Sequence, residues 1–152
     1  MLFLSSADAL AKDLQGRLGL GYNSQFANAT AENGVPGISL KYGLTRDLAA
    51  AAVLGMTTAS PSNSVTAVKF FKNLFYETNL NFYFTTGAGI LSGGGKSGVE
   101  FLGAFGAEFF IPGIESLGFS FETGGSLDNL GDGFALKTHG ASFLDAGIHF
   151  YF

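Results

Sequence analysis

The sequence predicts an all-β protein: a single eight-stranded antiparallel up-and-down β-barrel that crosses a membrane. Segments of alternating apolar and polar residues recur along the 152 residues, and this period of two is typical of strands. Charged residues make up only 13% of the chain, about half of the roughly 25% usual in soluble domains. No stretch approaches the ~20 consecutive apolar residues of a membrane-spanning helix. An apolar, charge-poor chain of this kind can still cross a membrane if its strands present their apolar side chains to the lipid.

Eight strands are predicted, each about as long as the 9 to 11 residues of a tilted membrane-spanning strand or slightly longer. Glycine, aromatic and β-branched residues dominate them, and these residues favour strands over helices. Short breaks between consecutive strands indicate an antiparallel meander. The predicted strands are 14–26, 36–44, 48–58, 65–73, 79–91, 99–111, 117–127 and 138–152.

The breaks between the strands alternate in kind. Those at 28–35, 60–64, 92–98 and 128–137 are polar and glycine-rich, whereas those at 45–47, 74–78 and 112–116 are expected to be tighter turns. Loose loops at one end and tight turns at the other are typical of outer-membrane barrels. Residues 14–152 are therefore assigned to one barrel domain.

The two faces of each predicted strand differ sharply in composition. One face is rich in large apolar residues, from Leu18, Leu20 and Tyr22 in the first strand to Ile148, Phe150 and Phe152 in the last. Lys72 is the only charged residue on that face, close to a predicted turn where its ammonium could reach the headgroups. The other face is mostly Gly, Ala, Ser and Asn with a few charges. It is too poor in charge for the exterior of a soluble lipocalin-like barrel and suits the crowded lumen of eight strands.

The charged residues of the second face form the predicted lumen charge network. Because strands one and eight adjoin when a barrel closes, Arg17 is expected close to Asp145 or His149. Glu122 and Asp145 fall on adjacent strands, and their negative charges would repel each other unless a cation lies between them. Two interpretations stay open: ion pairs that plug the lumen, or charges that line a narrow path for water or ions. The network comprises Arg17, Lys41, Lys69, Glu100, Glu108, Glu122, Asp145 and His149.

The C-terminus carries a resemblance to a known family. Leu144, Ala146, Ile148, Phe150 and Phe152 alternate up to a terminal phenylalanine. This resembles the closing strand of small bacterial outer-membrane β-barrel proteins, and the eight-strand pattern extends the likeness to the transmembrane domain of OmpA. The resemblance implies a Gram-negative outer membrane, N- and C-termini in the periplasm, and Phe150 and Phe152 as a signal for the barrel-assembly machinery. It also implies aromatic girdles, with Tyr22, Tyr42, Tyr76 and Phe152 near the two interfaces.

Residues 1–13 depart from the barrel pattern. Ala9-Leu10-Ala11 before Lys12 has the small-x-small form of a signal-peptide cleavage site, although the preceding residues lack a basic region and a full apolar core. We expect a signal-peptide remnant or, alternatively, a short helix over 6–14 that rests at the periplasmic mouth.

Composition and motifs argue against most chemistry. A net charge of -4 leaves no basic surface for nucleic acid, and a chain with no cysteine has no thiol catalysis, disulfides or sulfur-ligated zinc. Gly93-x-Gly95-x-x-Gly98 precedes a strand rather than the helix that a dinucleotide needs. Asp128-x-x-x-Asp132-Gly133 is only a fragment of a calcium loop. No cofactor and no metal site are predicted.

Because these motifs are weak, the predicted function involves no catalysis. We expect a non-enzymatic outer-membrane barrel in a lipid bilayer, with a largely filled lumen and a structural or surface-interaction role. An extracellular partner would bind through loops 92–98 and 128–137. The alternative is a narrow channel for water, ions or very small solutes. A lipid-modifying enzyme built on His139, Ser142 and Glu122 ranks third, because His139 and Ser142 are predicted to point to opposite faces.

Overall fold

The computed structural model describes residues 12–23, 37–58, 60, 62–130, 133–138 and 145–152. These residues form nine β-strands, and among them no helix is long and apolar enough to span a membrane. The strands are β1 (Leu18–Asn23), β2 (Gly37–Gly43), β3 (Leu48–Thr57), β4 (Asn63–Glu77), β5 (Leu80–Gly93), β6 (Lys96–Ile111), β7 (Ile114–Asp128), β8 (Ala135–Thr138) and β9 (Asp145–Tyr151).

The strands close into an eight-stranded antiparallel barrel, which confirms the predicted fold class. Each strand from β1 to β7 pairs antiparallel with the next, and β9 closes the barrel by pairing with both β7 and β1. The short β8 also pairs with β7, beyond β9. β9 thus corresponds to the predicted eighth strand over 145–151, whereas β8 lies almost wholly within 128–137, which was expected to be a loop. Predicted strand residues 139–144 lie outside the described part of the chain.

Several predicted strand boundaries differ from those in the structure. The segment 74–78 was expected to be a turn, but β4 continues to Glu77 and only Thr78 and Asn79 turn. The pairing skips Leu74 between Asn73 and Phe75, so a β-bulge absorbs one residue and disturbs the alternation that marks a strand. The first strand begins at Leu18 rather than at residue 14.

The two ends of the barrel are unlike each other. We call the end with the turns at 44–47, 78–79 and 112–113 the turn end, and the opposite end the loop end. The segment 92–98, expected to be a loose loop, is mostly strand: only Gly94 and Gly95 connect β5 to β6, with φ of 58° and 78°. Two successive positive φ angles are those of a type I′ hairpin turn, which glycine adopts without strain.

The turn at 44–47 is tied to the neighbouring hairpin. The Thr45 hydroxyl accepts a hydrogen bond from the Leu48 amide at 3.0 Å, and Asp47 accepts hydrogen bonds from Tyr76 and Lys72. These two partners, Tyr76 first, hold the pKa of Asp47 below its usual value. Tyr76 therefore lies at the turn end, where one aromatic girdle was expected.

The predicted separation of faces is present in the structure. β2 alternates buried and exposed along its whole length, and its outward Ile38, Leu40 and Tyr42 are between 44% and 64% exposed. Phe70, Phe101 and Phe105 are likewise more than half exposed on the outer wall. A continuous apolar exterior around a closed barrel is the surface that lipid covers, so the fold is that of a transmembrane barrel.

Candidate functional site: the barrel lumen

Lys69 lies at the centre of one cluster of lumen charges. It is fully buried, and its ammonium lies 2.8 Å from Glu122 Oε2, reaching from β4 to β7. Tyr83 on β5 donates a hydrogen bond to Glu122 Oε1 at 2.8 Å. Asp145 is the cross-strand partner of Glu122, and it attracts the Lys69 charge. Lys69 is thus the cation that the neighbouring carboxylates require.

A second ion pair crosses the lumen between β2 and β6. Lys41 Nζ lies 2.8 Å from Glu108 Oε2, and both side chains are almost completely buried. Tyr151 donates a hydrogen bond to Glu108 Oε1 at 2.6 Å. The Lys41 ammonium also lies 4.4 Å from the centroid of the Phe71 ring, a favourable distance for a cation–π interaction. Because β2 and β6 lie on opposite sides of an eight-stranded barrel, this pair crosses the lumen.

His149 is another member of the predicted lumen charge network that lies near these two ion pairs. Its Nε2 lies 2.9 Å from the Ser39 hydroxyl, and the side chain is 3% exposed. Its ring centroid also lies 6.1 Å from that of Tyr151, whose hydroxyl binds Glu108. His149 therefore belongs to the same packed layer as the Lys41–Glu108 pair.

Arg17 occupies a different place from the one expected. It precedes β1 and is half-buried, and its guanidinium donates to the Tyr151 carbonyl at 3.1 Å. In the β1–β9 register Gly19 faces Tyr151, whereas Asp145 lies beyond the far end of the paired segment. The expectation that Arg17 lies close to Asp145 or His149 is therefore wrong. The register pairs Gly21 with His149, so Arg17 falls beyond the C-terminal end of β9, at the mouth.

Glu100 lies at the loop end, away from the two lysine pairs. It is 4% exposed and directly opposite Asp128 in the β6–β7 register. Lys137 on β8 reaches Asp128 Oδ2 at 2.6 Å and supplies the nearby positive charge. Glu100 thus belongs to a separate group at the loop-end mouth, a separation that the sequence pattern did not reveal.

Two apolar clusters bracket the ion pairs, and sequence reasoning missed both as features of the lumen. Along β6, Glu108 lies between Phe110 and Leu102, one from each cluster. The inward parity of the strands could have located the strand residues of these clusters, but not Leu14 or Leu130, which lie outside the strands. The turn-end cluster consists of Leu14, Phe110 and Tyr151; the loop-end cluster consists of Val53, Val65, Ala67, Leu91 and Leu102, with Leu130 packed against it.

The motifs that could carry chemistry do not form a site in the described residues. Glu122 is engaged by Lys69 and Tyr83, while His139 and Ser142 lie outside the described residues. Gly93, Gly95 and Gly98 belong to the β5–β6 hairpin. Across the described ranges, no group of three or more His, Cys, Asp or Glu side chains could hold a metal ion.

The terminal phenylalanines lie on the outer wall at the turn end. Phe150 is paired with Leu20 of β1 and Leu117 of β7, and the Phe152 amide donates to the Leu18 carbonyl at 2.9 Å. Their rings make an edge-to-face contact with centroids 5.1 Å apart. Both rings face outward beside the seam at which the barrel closes.

Comparison with known proteins locates this barrel among known folds. No protein-family model and no curated protein sequence matches the chain. Among solved structures, the crystal structure of the N-terminal β-barrel domain of Pseudomonas aeruginosa OprF is similar, with a TM-score of 0.57 and 18% identity. The match covers 90% of this chain and 96% of that one. The chain therefore has the fold of the OprF/OmpA-like N-terminal β-barrel domain.

Proposed function

We propose that this chain is a non-enzymatic protein of the bacterial outer membrane whose barrel is closed to solutes and serves as a structural anchor that presents its loop end. The observation that carries the proposal is the filling of the lumen. The Lys41–Glu108 and Lys69–Glu122 pairs lie across it, between the turn-end and loop-end apolar clusters.

Energetics support a lumen that stays filled. Eight strands leave an interior just wide enough for side chains. Removing one member of a buried ion pair costs about 3–5 kcal/mol, so an ion or solute that displaced Lys41 or Lys69 would meet a large barrier. The apolar clusters on either side offer no hydrogen bonds to a passing ion.

The proposed orientation has the turn end in the periplasm and the loop end outside. Both described ends of the chain, Lys12 and Phe152, lie at the turn end, as in the family that the C-terminal pattern resembles. In this orientation Phe150 and Phe152 are available to the barrel-assembly machinery at the periplasmic side during insertion.

A surface-interaction role would be concentrated in residues 128–137. Phe134 and Leu136 there are 69% and 83% exposed, and β8, which contains Leu136, is only four residues long. The β5–β6 connection at 92–98 is a short hairpin whose exposed residues, Gly94 to Ser97, include no large apolar side chain. Replacing 128–137 by a short glycine–serine segment should abolish capture of an extracellular partner while the barrel still folds.

Planar-bilayer conductance of the refolded protein tests the closed lumen. We expect no discrete openings from the wild-type barrel, with folding verified by its heat-modifiable migration in gels. A Lys41→Met/Glu108→Gln variant removes one cross-lumen pair, and Lys72→Met, on the outer wall, is its matched control. Discrete wild-type openings whose size changes in the Lys41 variant, but not in the Lys72 variant, would establish the narrow channel instead.

A further inference from the structure

The segment that precedes β1 is folded back onto the barrel; we call residues 12–17 the N-terminal strap. The Gly16 amide donates to the Gly43 carbonyl at 2.8 Å, and the Gly43 amide donates to the Arg17 carbonyl at 3.1 Å. A side chain at Gly43 would place its Cβ 1.9 Å from the Leu14 carbonyl. The strap thus lies directly against the turn-end edge of β2.

Leu14 is the buried residue of the strap. It belongs to no strand, yet it is only 6% exposed and packs with Phe110 and Tyr151 of the turn-end cluster. Phe110 and Tyr151 are inward-facing side chains of the barrel wall. A residue outside the wall that is buried against inward-facing side chains must lie within the mouth.

Two further contacts anchor the strap on the opposite side of the mouth. The Asn81 side chain on β5 donates to the Lys12 carbonyl at 3.1 Å. The Lys12 ammonium lies 2.6 Å from Glu115 Oε2 at the start of β7. The strap therefore begins beside β5 and β7 and ends beside β2, so that it crosses the turn-end opening.

We propose that the N-terminal strap is a built-in lid: the turn-end mouth is a binding site for a peptide, and residues 12–17 of this chain are its occupant. The site takes an apolar side chain on Phe110 and Tyr151, a peptide carbonyl on Asn81 and a cation on Glu115. This inference extends the closed lumen proposed above, because the lid seals the mouth outside the ion pairs.

Cysteine accessibility tests the lid, since the natural chain contains no cysteine. Asn81 is 1% exposed although it is the second residue after a two-residue turn, so a cysteine there reports whether the strap covers the rim. Asn63, 5% exposed at the first position of β4, provides a matched reporter at the loop end. Each of Asn81→Cys and Asn63→Cys is combined with a change in the strap, and labelling by a water-soluble maleimide is timed in vesicles. Asn81→Cys removes the Asn81–Lys12 hydrogen bond from every strap equally, so the rates at 81 are compared only with one another, and they report the changes at Leu14 and Lys12.

The strap changes are chosen to open the lid in two ways. Leu14→Asp places a charge in the apolar mouth and should speed labelling at position 81 at least about tenfold, because local opening follows the loss of packing. Leu14→Met conserves volume and should change the rate by less than about twofold. Lys12→Glu, which leaves Leu14 in place but opposes a carboxylate to Glu115, should speed labelling by about two- to fivefold.

The outcomes separate the lid from the closed lumen. Faster labelling at 81 with an unchanged rate at 63 supports the lid, and a synthetic peptide of residues 12–17 should then slow labelling of the Leu14→Asp variant. The lid would be overturned if the cysteine at position 81 were labelled at the same rate in the folded Leu14→Asp and Lys12→Glu variants as with the wild-type strap. Wild-type conductance would instead count against the closed lumen, while leaving the labelling result to decide the lid.

Discussion

Replacing Lys69 by methionine tests how far the lumen charges determine the stability of the barrel. The substitution keeps most of the apolar stem and removes the ammonium that lies 2.8 Å from Glu122. Glu122 retains the Tyr83 hydroxyl, but the cation between it and Asp145 is lost. Both carboxylates are at most 4% exposed, so water cannot readily replace it.

The magnitude follows from what is removed. One hydrogen bond to a charged group is worth about 1.5–3 kcal/mol, and leaving a buried charge without its partner brings the total to about 3–5 kcal/mol. Lys69→Met should therefore lower the free energy of unfolding by about 3–5 kcal/mol. The double variant Lys69→Met/Glu122→Gln removes the pair as a unit and should recover about half of that loss or more.

Urea unfolding in lipid vesicles, followed by heat-modifiable migration, measures both variants. Lys72→Met is the matched control, because Lys72 is half exposed and pairs with the exposed Asp47 at 3.1 Å; we expect only a small change there. A loss for Lys69→Met as small as that for Lys72→Met would refute the reasoning. So would a double variant that is less stable than the single one.

Three further perturbations test the wall, the exterior and the turn end. Gly21→Ala should destabilise the barrel by about 1–3 kcal/mol, because its Cβ would lie 1.9 Å from the carbonyl oxygen of Ile148. Gly103→Ala should be tolerated in the same unfolding assay, because its Cβ would come no closer than 3.8 Å to the Phe84 ring. Phe105→Lys should cost about 2–4 kcal/mol in vesicles if position 105 meets the lipid midplane, and a neutral effect would place that face in water. Tyr76→Phe should raise the pKa of Asp47 toward 3.8 in an NMR titration, because the hydrogen bond from Tyr76 is the largest cause of its lowering. The stabilisation from Asp47 is present above that unfolded-state value and is lost as the pH falls through the lower folded-state pKa, so an unchanged pKa in Tyr76→Phe would show that the hydrogen bond has no such effect.

Much of the wall could be predicted from the sequence because strand geometry is local. A period of two assigns each side chain to a face once the strand is located, which explains why Lys41, Lys69 and Glu108 were placed inside. The bulge at Leu74 and the hairpin turn at Gly94 and Gly95 depend on how neighbouring strands pair. Local alternation does not contain that information.

The partners across the lumen were less accessible to sequence reasoning. Which lysine meets which glutamate depends on the stagger of strands around the closed barrel. Lys41 and Glu108 are 67 residues apart, and no local pattern links them. The position of Arg17 depends on the register between β1 and β9, which pairs Gly19 with Tyr151 and so leaves Arg17 at the mouth.

Methyl NMR in lipid nanodiscs tests the central claim, a lipid-embedded barrel with a filled lumen, without any substitution. Val53 and Leu91 lie in the loop-end cluster at 1% and 2% exposure, whereas Val68 and Ile90 face outward at 50% and 63%. We predict cross-peaks from Val68 and Ile90 to acyl-chain protons, and cross-peaks to neither water nor lipid from Val53 and Leu91. Water contacts at Val53 and Leu91 would show an open pore, and water rather than acyl-chain contacts at Val68 and Ile90 would contradict the transmembrane barrel.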